Sequence, residues 1–329
     1  MQEPGILSLS FAGVTESTAR AVMPLSGKGD KHEADHTAVE AMRKALNALE
    51  GRYHVVLGEG GKDKAPMLYT GEVLGTGRDT RIEMDLVVDP LECTTNFARG
   101  LPDSMSVLLA APTGRLRPVP GSYMKQLLLP PAAADFSKAG LELDSEPADV
   151  LPFVARSLGL GVSDLCVVVQ DRPRHAALIA AIRAAGAGVS LIDSGSISAA
   201  FEVLKGPSRR THLLWGTFGA PEALIIAFMA RHSRAPFFGR MEPHDDLSAE
   251  ETRKLGLEGH LLLAQDLVGD SSVLSMSGIH SSNWLAGVKR LSHESYLVST
   301  LLWDDTGPYL VEHRDGAVIV ARPWVEESG

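Results

Sequence analysis

Hydrophobic and polar positions alternate in two distinct registers along the chain. From Glu33 to Leu49 the apolar residues Ala38, Met42, Leu46 and Leu49 recur on one face, the spacing of an amphipathic helix. Short apolar runs at Tyr53–Leu57, Ile82–Val88, Ser106–Ala111 and Tyr123–Leu129 predict strands. The first ends at Gly58-Glu59-Gly60-Gly61 and the second at Asp89-Pro90. After about residue 150 the order is more regular. Strands are predicted at Leu165–Gln170, Val189–Ile192 and His212–Trp215. Helices are predicted at His175–Ala185, Ile197–Leu204 and Pro221–Arg231. Strands alternating with helices at this spacing imply βαβ units and a parallel sheet. Strand-like runs return at Tyr296–Trp303 and Tyr309–Glu312.

A linker-like stretch, Pro130-Pro131-Ala132-Ala133-Ala134-Asp135, and the polar, proline-bounded segment Leu143–Pro152 place a soft domain boundary nearby. The division expected is 1–156 for an α+β metal and phosphate domain and 157–329 for an α/β substrate domain. At 329 residues the chain suits two cores of ordinary size.

Composition narrows the function classes. The 31 Lys+Arg and 41 Asp+Glu give a formal net charge of −10, which disfavours nucleic acid as a partner. No apolar run of about 18 residues occurs, so no membrane span is expected. The start Met-Gln-Glu-Pro-Gly lacks the basic and apolar regions of a secretory signal. Two cysteines, Cys93 and Cys166, are too few for a disulfide framework or a cysteine zinc site. A cytoplasmic protein is the reading.

The strongest chemical signal is Asp89-Pro90-Leu91-Glu92-Cys93-Thr94-Thr95. A strand delivers Asp89, Pro90 fixes the turn, and Glu92 follows three residues on. Thr94 and Thr95 then open a helix whose free N–H groups favour an anion. Carboxylates beside such a helix start fit a hard divalent cation bridging to phosphate; a plain turn acid and a plain N-cap fit the short segment equally well. Glu59 sits in a glycine-rich turn after a strand. Asp35 reads either as a ligand or as a simple N-cap, and Glu222 either as a ligand or as a partner of its helix dipole.

Together these residues resemble a known family. The segments that carry the resemblance are Val14-Thr15-Glu16-Ser17, Gly29-Asp30-Lys31, Ala34-Asp35, Gly58-Glu59-Gly60, Ala65-Pro66-Met67-Leu68-Tyr69, Val88-Asp89-Pro90-Leu91-Glu92, Arg172-Pro173-Arg174-His175, Gly219-Ala220-Pro221-Glu222 and Ser277-Gly278-Ile279. In this order, and to about residue 290, the chain resembles the bacterial class II fructose-1,6-bisphosphatases, some of which also act on sedoheptulose-1,7-bisphosphate. The resemblance implies the layered α/β/α/β/α sandwich of the metal-dependent, lithium-sensitive sugar phosphatase superfamily, in two halves with the site in the cleft between them.

It further implies that Asp35, Glu59, Asp89, Glu92 and Glu222 bind Mg²⁺ or Mn²⁺. Asp63, with Glu59 and Thr94, falls in the catalytic set, Asp63 as the acid that orients the attacking water. Glu92, Cys93, Thr94, Tyr123, Arg172, Pro173, Arg174, Ser194, Gly195, Ser196 and Gly219 match positions that meet the substrate, a phosphorylated small molecule. A homodimer or homotetramer is expected on the same ground.

Departures from the family pattern gather around the sugar. The family's Asp-Gly-Asp is Ser194-Gly195-Ser196 here, which removes two carboxylates. Charged hydrogen bonds are worth about 1.5–3 kcal/mol each, so the loss bears directly on affinity. The glycine after Glu92 is Cys93, a second glycine before Gly219 is Phe218, and the family's Gly-Ile-Thr is Gly278-Ile279-His280. Three functions follow as expectations. The first is a fructose-1,6-bisphosphatase-like phosphatase. The second is a specialised biosynthetic phosphatase acting on another sugar or sugar-conjugate phosphate. The third is a non-catalytic ligand-binding homologue.

Overall fold

The computed structural model describes residues 4–58, 67–205, 210–293 and 295–324. In chain order these form α1 (Ile6–Val22), α2 (Lys31–Ala48), β1 (Arg52–Leu57), β2 (Val73–Leu74), β3 (Glu83–Glu92), α3 (Thr94–Ala98), β4 (Met105–Pro112), β5 (Tyr123–Leu128), α4 (Pro147–Leu158), β6 (Cys166–Gln170), α5 (Ala176–Ala184), β7 (Gly188–Ile192), α6 (Ser196–Lys205), β8 (Leu213–Gly219), α7 (Ala220–His232), β9 (Phe237–Glu242), α8 (Asp246–Lys254), β10 (Leu262–Leu263), α9 (Ala264–Leu267), β11 (Val273–Gly278), β12 (Lys289–Arg290), β13 (Tyr296–Asp304), β14 (Gly307–Arg314) and β15 (Ala317–Pro323).

The chain forms two compact units. One contains the described residues up to Arg117 and those from Gly269 onward; the other is Pro118–Val268. This differs from the expected division at 156/157, a point that lies inside α4. The alanine-rich stretch read as a linker is folded. Its Ala133, together with Phe136, is buried in a core with Val150, Leu151 and Val154 of α4. Apolar residues that pack decide the boundary, and local proline content does not.

The first unit is built on a nine-stranded sheet in the order β15-β14-β13-β11-β4-β3-β1-β2, with β12 paired to β13. β1 and β3 run parallel; β3, β4, β11 and β13 are antiparallel neighbours. Helices α1 and α2 pack on one another and on this sheet. Phe11 and Val14 of α1 and Met42 and Leu46 of α2 share a core with Tyr53, Val55, Leu86 and Leu108. Asp30 caps α2 by accepting the Glu33 N–H at 2.9 Å. Asp35 is therefore inside the helix, and the N-cap alternative for it does not hold.

The second unit has a six-stranded sheet in the order β10-β9-β5-β8-β6-β7. The parallel arrangement expected from the βαβ pattern is confined to β7, β6 and β8; β5 is antiparallel to both β8 and β9. Alternate residues serve two cores. Leu127, Val167, Val169 and Trp215 lie with α4 and with Ile182 of α5, while α6 and α7 pack on one another and α7 on β5, β8 and β9. Among the described residues no helix is long and apolar enough to cross a membrane.

Candidate functional site

In the first unit the site is organised by a fault in β3. Asp89 pairs with Val107 and Glu92 with Met105, so three steps on β3 match two on β4. Residues three apart in a regular strand point to opposite faces. The extra residue of this bulge, at Pro90-Leu91 where proline has no N–H for the ladder, cancels that alternation. Asp89 and Glu92 therefore reach the same side, and their carboxyls share a hydrogen bond. The strand runs on through Asp89-Pro90, which the sequence had marked as its end.

Burial raises the Asp89 carboxyl well above the usual carboxylate range. Glu92 raises it further, and Asp35 adds a smaller contribution. Asp89 still keeps part of its surface exposed, while Glu92 is buried. Asp35 is also raised by burial, with His32 and His36 acting in the opposite direction. Three acids thus lie near one another, and Asp89 and Asp35 resist carrying their charge there. An all-oxygen donor set under this strain fits a hard divalent cation. Among the described residues, however, no three His, Cys, Asp or Glu side chains are already drawn into a ligating cluster. Glu59 and Asp63, with the rest of the turn from 59 to 66, lie outside the described residues.

After Glu92 the chain turns through Cys93 in the left-handed region, at φ 64° and ψ 41°, and enters α3. This is the conformation that glycine adopts freely. Thr94 Oγ1 donates to the Leu91 carbonyl at 2.9 Å, and Lys31 Nζ donates to Thr95 Oγ1 at 2.9 Å. The loop between α1 and α2 is fastened to α3. Gly27 and Gly29 donate their N–H groups to the Phe97 and Ala98 carbonyls, each at 3.0 Å. His280 pins the same place. One ring nitrogen is 2.6 Å from Ser26 Oγ, the other 2.6 Å from the Leu101 carbonyl, and the ring stacks on Phe97. The sequence marked His280 as a departure from the family pattern but assigned it no role. Its partners lie about 180 and 250 residues away, so no local motif announces it.

In the second unit the expected substrate residues collect at the carboxyl ends of β6, β7 and β8. The chain leaves β6 for β7 on one side and returns to β8 on the other. Such a switch point is where open α/β sheets bind ligands. Arg172 donates to the Asp171 and Asp193 carbonyls, both at 2.7 Å. Arg174 donates to Gln170 Oε1 and to the Thr217 carbonyl, both at 2.8 Å. Its guanidinium lies 4.5 Å from the centre of the Tyr123 ring. Both cations are thus held by the ends of neighbouring strands. Pro173 starts the short 3₁₀ turn Pro173–His175. His175 itself is structural: buried, with Nδ1 2.7 Å from the Gln170 carbonyl and Nε2 accepting from the Thr217 N–H at 2.8 Å. Burial lowers its pKa.

Gly195 turns through φ 88°, and Ser196 is buried at the start of α6. Ser194 Oγ is buried with no hydrogen-bond partner among the described residues. Gly219 is the N-cap of α7, and the Glu222 carboxylate lies over it. Phe218 is buried and packs in the core. A cavity of about 510 Å³ lies beside Arg174, lined among others by Lys125, Trp215, Thr217 and Glu242. Lys125, Thr217 and Glu242 come from three strands, and the sequence did not single them out for the site.

Similarity to known proteins agrees with this geometry. The family described as bacterial fructose-1,6-bisphosphatase, glpX-encoded, matches residues 6–309. The chain is 40% identical over 245 residues to the D-fructose 1,6-bisphosphatase class 2/sedoheptulose 1,7-bisphosphatase of Synechococcus elongatus, covering 71% of this chain and 70% of that protein. It is 43% identical over 246 residues to the protein of the same name from Synechococcus sp. strain JA-3-3Ab, covering 71% and 69%. The chain belongs to the glpX-encoded family of bacterial fructose-1,6-bisphosphatases.

Proposed function

We propose that the protein is a divalent-metal-dependent phosphatase of sugar phosphates, with fructose-1,6-bisphosphate and sedoheptulose-1,7-bisphosphate as its default substrates. The observation that supports this best is the bulge that turns Asp89 and Glu92 to one side, with Asp35 close enough to raise the Asp89 carboxyl further. Asp35, Asp89 and Glu92 would hold Mg²⁺ or Mn²⁺, and Glu59 and Glu222 are the further ligands that the family pattern adds. The cation supplies neutralisation of charge on the phosphate.

The chain's own residues do the rest. Lys31, tied to Thr95, brings a positive charge to the start of α3. Thr94 keeps acceptor lone pairs free for a water or a phosphate hydroxyl while donating to Leu91. Asp63 is assigned to orienting the water. Arg172 and Arg174, the latter over the Tyr123 ring, form an ordered cationic edge suited to a second phosphate, because backbone carbonyls already hold both guanidinium groups. The protein is further taken to act in the cytoplasm as a homodimer or homotetramer.

A second reading rests on Ser194. Its buried, unpartnered hydroxyl and the neighbouring Ser196 replace two carboxylates, so the sugar-reading loop suits a different sugar or sugar conjugate. Phosphate release from sugar mono- and bisphosphates in Mg²⁺ or Mn²⁺ separates the two, with Asp89→Asn as the control for contaminating activity. Turnover of fructose-1,6-bisphosphate that Asp89→Asn abolishes supports the first reading. Turnover of another sugar phosphate supports the second. Binding of these ligands without phosphate release from any of them would make the protein a non-catalytic homologue.

A further inference from the structure

Open sheet edges carry unpaired N–H and C=O groups, and proteins usually blunt them by shortness, bulges, prolines or charge. Three of the four edges here follow that rule. β2 and β10 are two residues long. β15 is longer, but its pairing with β14 breaks between Glu312 and His313, and it ends in Pro323. β7 does not follow it. Its five residues, Gly188-Val189-Ser190-Leu191-Ile192, pair with β6 in an unbroken register, include neither proline nor charge, and have no partner on the other side among the described residues. None of the five is buried, and Leu191 is 43% exposed.

Helix α5, which leads into this edge, adds to the same surface. It consists of alanine, leucine and isoleucine apart from Arg183, yet only Ile182 is buried. Unlike most of a chain with a formal charge of −10, α5 and β7 contain no acidic residue.

We propose that β7 is a self-pairing edge at which two copies of the chain join, antiparallel about Ser190, into one continuous sheet. The occupant is a second copy because the edge complements itself. Antiparallel pairing about Ser190 sets Val189 opposite Leu191 of the other copy, and Ser190 opposite its own equivalent. An isologous two-fold contact requires this reciprocity. The two-fold axis is perpendicular to the sheet and brings the two α5 helices to the same face, side by side. No acid of either element opposes its equivalent, so two strongly negative chains can approach here. The contact is a strand edge and one helix flank, small beside the ~800 Å² per partner of a standard interface. The proposal names a surface for the assembly and is independent of the catalytic reading.

Sedimentation across a concentration series, together with a directed cross-link, tests it. Ser190→Lys sets two like charges opposite each other and should halve the mass of the assembly at tens of micromolar, with thermal unfolding of the dilute protein unchanged. Ser190→Cys in a Cys166→Ser background should form a covalent dimer on oxidation, because opposed antiparallel residues lie within disulfide reach. Ser137→Cys in the same background, at an exposed position elsewhere, should not. A wild-type protein that is monomeric at these concentrations would overturn the proposal. So would an assembly whose mass Ser190→Lys leaves intact, or a Ser190→Cys protein that cross-links no better than the Ser137→Cys control.

Discussion

The carboxylate of Glu222 folds back over Gly219 so closely that a Cβ on the glycine would lie 2.0 Å from Oε2. The backbone of Gly219, at φ −60° and ψ 138°, is open to any residue. The glycine is needed for the space it leaves. Gly219→Ala should displace the carboxylate and little else. Activity should fall at least about tenfold, since misplacing a positioned group by an ångström costs that much or more, while the thermal midpoint moves little. An alanine variant with full activity would show that Glu222 has no part in the reaction in that position.

Cys93 gives a stability test. A non-glycine residue in the left-handed region costs roughly 1–2 kcal/mol, and Cys93 occupies it at φ 64°. Cys93→Ala loses the buried sulfur and keeps the strain; Cys93→Gly loses the sulfur and relieves the strain. The glycine variant should therefore be the more stable of the two by about 1 kcal/mol, the reverse of the usual order. Urea unfolding of both variants measures it, and equal midpoints would mean that the left-handed turn costs nothing here.

His280 joins the loop before α2 to the segment after α3, and those elements carry Asp35 and follow Glu92. His280→Ala removes both hydrogen bonds and the stack on Phe97. The metal concentration for half-maximal activity should rise about tenfold, equivalent to losing roughly 1.4 kcal/mol of ordering, with the Michaelis constant for substrate nearly unchanged. If the substrate constant changes and the metal requirement does not, the clamp serves substrate rather than metal.

His313 sets a pH dependence. It is buried on β14 with Nδ1 unpartnered among the described residues, and burial lowers its pKa from 6.5 to about 4. A depressed folded-state value stabilises the protein fully above the unfolded pKa, and that stability is lost as pH falls through the folded one. Between pH 6.5 and about 4 this residue should subtract up to roughly 1.4 kcal/mol per pH unit. His313→Leu should flatten unfolding free energy over that window. A slope identical to the wild type would assign the acid sensitivity to other groups.

The sequence revealed most where structure is local. Helix α2 and strands β1, β4, β5, β6 and β7 lie within a residue or two of their predicted bounds because their patterns depend on near neighbours. Arg172 and Arg174 lie at a strand end, as their place just after a predicted strand implied. Two features were not legible. The bulge at Pro90-Leu91 shows only against the register of β4. Helix α1 was not predicted, although its Val14-Thr15-Glu16-Ser17 segment carried part of the family resemblance. The domain boundary was misplaced for a related reason: the strands that complete the first sheet lie more than 150 residues beyond β4 in the chain.

That discontinuity has a consequence for how the protein is made. β4 pairs with β11, and the Gly269 N–H donates to the Arg115 carbonyl at 2.7 Å, where the chain departs for the second unit and returns from it. Emerging from the ribosome, Pro118–Val268 is a continuous stretch that can fold as soon as it is synthesised. The nine-stranded sheet must wait, with the edge of β4 open, until β11 and β13 arrive. A pause in translation between residues 118 and 268 therefore prolongs the interval in which that edge can capture a neighbouring nascent chain.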